Sequence, residues 1–192
     1  MVKTAIIASF GLFKSKIFVI AITIAVIVIL LVVRTNNEAY SFGNNAPNFN
    51  LKTLDGKQVS LELFKGKPVI LWFMATWCPS CVGQADAIKK ITSEYGNKIN
   101  VLVIDLWAAQ NIGGHGAQGF NAETGSDLQS FIAKYGSTQW KGALDIDKVS
   151  IKYGVTEVGS TIVVDGNGNV VMMHLGPSGY QPIKDALVKT IV

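Results

Sequence analysis

Residues 69–84 read VILWFMATWCPSCVGQ, and this stretch decides the fold. Val69 to Met74 is a nearly continuous apolar run, as expected of a strand buried on both faces. A helix-like pattern follows from Val82 to Tyr95. Pro79 falls in its first turn, where a missing N–H costs nothing. Between strand and helix lies Trp77-Cys78-Pro79-Ser80-Cys81, which holds the only two cysteines of the chain. A dithiol at a strand-to-helix turn can store two electrons and pass them on. Cys78 falls at the helix N-terminus, where unpaired backbone N–H groups and the helix dipole favour a thiolate. Cys81 is one turn further in, within reach of a disulfide with it. A plain stabilising disulfide, or two inert buried thiols, is the bland alternative. A C-x-x-C beside alternating strand and helix patterns reads instead as a redox pair.

Outward from this stretch the pattern stays that of an α/β domain. Phe49 to Leu51 and Val59 to Leu61 flank Asp55-Gly56, a hairpin turn signal. Ile99 to Leu106 predicts a second buried strand. Ser126-Asp127-Leu128-Gln129 is a capping-box pattern for a helix that stops at Gly136. A short helix from Lys148 to Tyr153, strands at Thr161–Val164 and Asn169–His174 around Asp165-Gly166-Asn167-Gly168, and a last helix opened by Pro182 complete the order. Ile183, Ala186, Leu187 and Ile191 share one face of that helix. The order predicts a mixed sheet, parallel in its first half, with helices on both faces.

The N-terminal part is different. Ile17 to Val33 reads IFVIAITIAVIVILLVV, uncharged and apolar all round, near the lower limit of roughly 20 residues for a bilayer span. No small-x-small cleavage site follows it, so residues 1–34 read as an uncleaved signal anchor, with a cleaved signal peptide as the alternative. Residues 35–45 read as a polar tether, and 46–192 as the domain. Lys3, Lys14 and Lys16 precede the span and only Arg34 closely follows it. The N-terminus is therefore expected in the cytoplasm and the domain outside, on a single-pass anchor in the cell membrane. The net charge of +4 comes from the four basic residues of 1–34, where no acidic residue lies. The basic pI thus belongs to the anchor and gives no support for nucleic-acid binding. Outside the cytoplasm a dithiol meets oxidising conditions unless another molecule re-reduces it.

Ala46-Pro47-Asn48-Phe49-Asn50-Leu51, Leu54-Asp55-Gly56-Lys57, Phe64-Lys65-Gly66-Lys67-Pro68 and Phe73 to Cys81, followed by Tyr153-Gly154-Val155 and Ile162 to Gly168, resemble the membrane-anchored thioredoxin-fold proteins of the TlpA/ResA/CcmG type. The resemblance covers most of 46–192. It implies a thioredoxin-like fold with an N-terminal β-hairpin extension, preceded by one transmembrane helix, and thiol–disulfide exchange by Cys78 and Cys81 without a cofactor. Trp77, Pro79 and Ser80 complete the active-site motif. The implied partners are a disulfide-containing extracytoplasmic protein, with cytochrome c maturation components among the usual clients, and a membrane electron donor. Three positions depart from the family pattern. Gly159-Ser160 stands where the family has its cis-proline loop, and a non-prolyl cis bond costs about 2.5–4 kcal/mol, so the Val158–Gly159 bond is expected to be trans. Gln84 replaces a titratable Glu, and Asp86 a Pro. Trp72 also occupies the place of a buried thioredoxin Asp.

Two rival chemistries use the same sulfurs: disulfide donation, which is the reverse exchange, and a copper-binding module. Thiolates suit Cu(I), and His174, Met172, Met173 and His115 offer further ligands. Met172 and His174 alternate with Met173 across a strand, so the set cannot all converge. The favoured reading has no metal; its low-ranked alternative uses Cys78, Cys81 and His174. Asp105 ends a predicted strand and reads as a turn cap or a proton acceptor. The glycine-rich stretch from Trp107 to Gly125 lacks a P-loop pattern and reads as a surface loop or a partner-facing lid.

Overall fold

A computed structural model describes residues 22–25, 45–106 and 123–191 of the chain. The chain divides into a unit over Met1–Ser41 and a unit over Phe42–Val192. In the first unit residues 22–25 are helical; the rest of the apolar run, the tether to residue 44, and residues 107–122 with His115 lie outside the described residues. Among the described residues no helix is long and apolar enough to cross a membrane.

The second unit is built round the predicted central strand. In chain order it contains β1 (Asn50–Lys52), β2 (Gln58–Ser60), a 3-10 turn (Leu61–Phe64), β3 (Val69–Met74), α1 (Pro79–Tyr95), β4 (Asn100–Asp105), α2 (Gly125–Tyr135), β5 (Lys141–Leu144), α3 (Val149–Lys152), β6 (Ser160–Val164), β7 (Val170–His174) and α4 (Tyr180–Val188). The main sheet runs β5-β4-β3-β6-β7, parallel across β5, β4 and β3 and antiparallel across β3, β6 and β7. The described domain is thus the α/β, thioredoxin-like arrangement with its hairpin in front.

Every residue of β3 is fully buried, which explains its uninterrupted apolar sequence. Ile70, Trp72 and Met74 pack with α1, α2 and α4; Val69, Leu71 and Phe73 pack with the β1–β2 hairpin, the 3-10 turn and α3. Helices lie on both faces, as the element order predicts, but they are shared unevenly. The three longer ones share one face. Phe49, Leu51, Val59 and Leu61 of the hairpin region, with Val149 and Tyr153 at α3, cover the other.

Three elements differ from expectation. β5 was not predicted, because Lys141-Gly142-Ala143-Leu144 lacks β-branched residues and alternation. Its glycine is there for packing: a Cβ at Gly142 would lie 2.7 Å from Leu54 Cδ1 and 2.8 Å from Ile132 Cδ1. The hairpin end rests on this strand through Leu54 N–H donating to Gly142 O (2.8 Å). The capping box of α2 also sits two residues earlier than predicted. Thr124, not Ser126, is the N-cap; Asp127 N–H donates to Thr124 Oγ1 (3.4 Å), and Thr124 N–H to Asp127 Oδ2 (2.8 Å). The last helix begins at Tyr180, ahead of Pro182.

Replacing the Thr124 cap by Ala removes the side-chain half of this box. Thr124→Ala is expected to lower stability by about 1 kcal/mol, measured as a fall in the urea midpoint at unchanged slope.

Candidate active site

The buried strand β3 ends at Met74 and hands the chain to a tight turn. Cys78 N–H donates to Ala75 O (3.2 Å) and Cys81 N–H to Cys78 O (3.1 Å), so the turn runs directly into α1. Cys78 is the N-cap and Pro79 the first helical residue. Pro79 and Ser80 are exposed and Trp77 is half-buried. Both cysteines are free thiols.

The two sulfurs are not equivalent. Cys78 is 7% exposed and Cys81 is completely buried. Burial pushes the Cys81 thiol far above the ordinary range, and a hydrogen bond with the Cys78 sulfur adds to this; a backbone hydrogen bond from Ala75 opposes it. Both cysteines are thus buried, with Cys78 slightly open to solvent and Cys81 closed to it. Cys78 Sγ also lies 3.1 Å from Ser80 Oγ, where the hydroxyl can donate to sulfur.

Gln84 is one turn beyond Cys81 and 3% exposed. Trp72 Nε1–H donates to its Oε1 (2.9 Å), while its Nε2 donates to Gly159 O (2.8 Å) and Thr161 Oγ1 (2.7 Å). The indole has only a donor, so the atom it meets must be the amide oxygen, which fixes the amide orientation. This amide joins the central strand, α1 and the loop before β6. The Trp72 ring is held further by an edge contact with Trp140 (5.9 Å) and a tilted one with Phe131 (6.1 Å). Trp72 and Gln84, read in the sequence as two separate departures from the family pattern, are partners.

No described peptide bond is cis, so the Val158–Gly159 bond is trans, as expected. Gly159 has φ +89°, a left-handed value that favours glycine. Its N–H donates to Phe73 O (2.8 Å), and its carbonyl accepts from Gln84. A Cβ there would lie 3.0 Å from Pro177 Cγ and 3.2 Å from Gln84 Oε1. Ser160 is buried; its hydroxyl donates to Glu157 O (2.6 Å) and accepts from Gly176 N–H (3.0 Å). The polar groups of this loop are thus taken up inside the protein, and the exposed ring over Gly159 is that of Pro177.

His174 is exposed at the end of β7, opposite Thr161. Met172 packs on the α1 side of the sheet and Met173 on the other. Among the described residues no three His, Cys, Asp or Glu side chains converge as a metal site. Asp105 is fully buried at the end of β4.

One acidic group at the site has no signal in the sequence. Thr76 N–H donates to both carboxylate oxygens of Glu123 (2.9 and 3.0 Å), and the Thr76 hydroxyl also bonds that carboxylate. The two residues are 47 positions apart, and nothing local marks Glu123.

A family model described as Redoxin matches residues 42–187. The chain is 30% identical over 134 residues to the thioredoxin-like protein YneN of Bacillus subtilis, across 70% of this chain and 71% of that one. It is 27% identical over 157 residues to the thiol-disulfide oxidoreductase ResA of Bacillus thuringiensis subsp. konkukian, across 81% and 82% of the two chains. Among solved structures, a thioredoxin-like protein from Aeropyrum pernix superposes with a TM-score of 0.66 at 33% identity, covering 74% of this chain and 89% of that one.

The Gln84 geometry makes a pH-dependent prediction. A carboxylate at position 84 has no N–H for the Gly159 carbonyl, so Gln84→Glu must keep a proton to hold that bond. Its folded pKa is then raised above the unfolded value of about 4.3. Stability is fully present below the unfolded pKa and is lost as pH rises through the folded one, at about 1.4 kcal/mol per unit of difference. Urea unfolding at pH 4 and pH 8 is expected to show the variant losing stability toward pH 8 relative to wild type.

Proposed function

We propose that the chain, which belongs to the Redoxin family, reduces disulfides of partner proteins outside the cytoplasm through Cys78 and Cys81. It is a thiol–disulfide oxidoreductase; the direction of exchange, the partner and the membrane tether are the proposed parts. The observation that carries the reading is the asymmetry of the pair: Cys78 at the helix N-cap is 7% exposed, and Cys81, three residues further along α1, is closed to solvent.

In the reaction the Cys78 thiolate attacks a client disulfide. One client sulfur leaves as a thiolate and the other stays bonded to Cys78. Cys81 then attacks Cys78 as its proton passes to the departing client sulfur. The Cys78–Cys81 bond forms, the bond to the client breaks, and the second client sulfur leaves as a thiolate that takes up a proton. The client gains two electrons and the protein loses them. Ser80, with its hydroxyl 3.1 Å from the Cys78 sulfur, is placed to donate to it. Pro79 shapes the turn, and half-buried Trp77 and exposed Pro177 border the place where a client strand would lie. Gly159 and Ser160 hold that border from beneath.

The reducing direction draws support from burial. A strong oxidant gains its potential by stabilising its reduced form. Here the inner sulfur is held as a thiol rather than as a stabilised anion. The electrons must return from another molecule, since the chain has no third cysteine. The uncharged run at 17–33, with Lys3, Lys14 and Lys16 before it, supports a single-pass anchor and a membrane donor.

Cys78→Ser is expected to reduce exchange with a chromogenic aromatic disulfide to background, while Cys81→Ser still attacks once and stays trapped as a mixed disulfide. A Cys78→Ser variant that reduces the probe at the wild-type rate would remove the basis of the assignment. Equilibration with glutathione is expected to give a reduction potential below about −230 mV; a value near about −120 mV would make the chain a disulfide donor instead.

A further inference from the structure

Two successive residues, Ala75 and Thr76, lie between β3 and the dithiol. The backbone of Ala75 hydrogen-bonds the Cys81 sulfur, in the sense that favours its thiolate. The next amide, Thr76 N–H, is held by both oxygens of Glu123, and the Thr76 hydroxyl bonds the same carboxylate. A half-buried carboxylate is thus fastened one peptide away from the resolving thiol. Glu123 cannot drift far, because Thr124, the very next residue, is locked into the α2 capping box. Among the described residues no Lys, Arg or His forms an ion pair with Glu123.

The surroundings of the Cys81 sulfur contain little else that carries charge. The buried cluster in which it sits is apolar apart from Cys78, and its nearest polar neighbours along α1 are Ser80 and Gln84, neither of which titrates. Asp105 ends the adjacent strand β4. We propose that Glu123 is a positioning residue for the resolving step: through Thr76 its carboxylate fixes the turn that carries the dithiol, and its negative charge opposes a second anion at Cys81. The inference rests on the exchange reaction proposed above. Both Cys78 and Glu123 push the Cys81 thiol in this direction, on top of the larger effect of burial.

The consequence is an ordering of steps. While Cys78 is a free thiolate, two negative groups hold Cys81 protonated. Once Cys78 is bonded to a client sulfur it is neutral, and one of the two is gone. Cys81 then gives up its proton more readily, attacks the Cys78 sulfur, and expels the client thiolate, which takes that proton up. Glu123 sets how much of the barrier remains at that stage.

The test is single-turnover reaction of the reduced full-length protein with an aromatic disulfide that releases two equivalents of coloured thiol. The first release reports attack by Cys78, and the second reports resolution by Cys81. Glu123→Gln keeps an acceptor oxygen for Thr76 and removes the charge. It is expected to leave the first phase unchanged, to speed the second about twofold or more at pH 7, and to move the alkaline inflection of the second phase to lower pH. Glu123→Asp keeps the charge and is expected to hold the wild-type inflection. A second phase in Glu123→Gln that matches wild type in rate and inflection overturns the inference, as does a slower one or an equal shift in the Asp variant. A wild-type protein that releases no coloured thiol overturns the proposed function itself, which keeps the two failures apart.

Discussion

A strand that offers no side chain to water must be covered from both sides, and β3 sets this demand for the whole domain. Its six residues alternate between two apolar layers. One layer is supplied by α1, α2 and α4, which can present broad apolar stripes. The other is supplied by a hairpin and a 3-10 turn from the N-terminal side, closed by Tyr153, whose hydroxyl donates to Pro47 O at 2.7 Å. Because β3 is pinned on each face and hydrogen-bonded on each edge, the turn at its end has little freedom. The cysteines inherit that rigidity, which is what a reaction between two sulfurs and a visitor requires.

The strongest periodic features were legible in the sequence. The six apolar residues of β3, the Asp55-Gly56 hairpin, the Pro79 entry to α1 and the strands around Asp165 to Gly168 all carry local signals, and the structure holds them within a residue or two. β5 carried none: it is a strand because Val103 and Ile104 of β4 and the hairpin end at Leu54 give Gly142 and Ala143 a place, not because of its own residues. The α2 cap was misplaced since Thr124-x-x-Asp127 and Ser126-x-x-Gln129 compete as patterns over the same few residues, and only the packing of Leu128, Phe131 and Ile132 decides between them.

The candidate site divides along the same line. The cysteine pair could be read from spacing, because helix geometry fixes what three residues along α1 can reach. Gln84 and Glu123 could not be read in this way. Their roles depend on Trp72, Gly159, Thr161 and Thr76, brought close by strand pairing and by the loop before α2. Gln84 had been seen only as the loss of an acid. In the folded protein it is a three-way tie whose donors and acceptor are all used. The nearby acid enters from a different part of the chain, just ahead of α2.

Gly159 and Pro177 are matched in shape where they meet. One contributes no side chain and the other a rigid ring, and the ring occupies the volume that a larger residue at 159 would claim. A lineage with bulk at the first position cannot acquire the second unchanged, nor the reverse, without passing through a crowded or a hollow intermediate. The two sites should therefore exchange in concert across descendants of this domain, a pairwise dependence that a survey of single positions would miss.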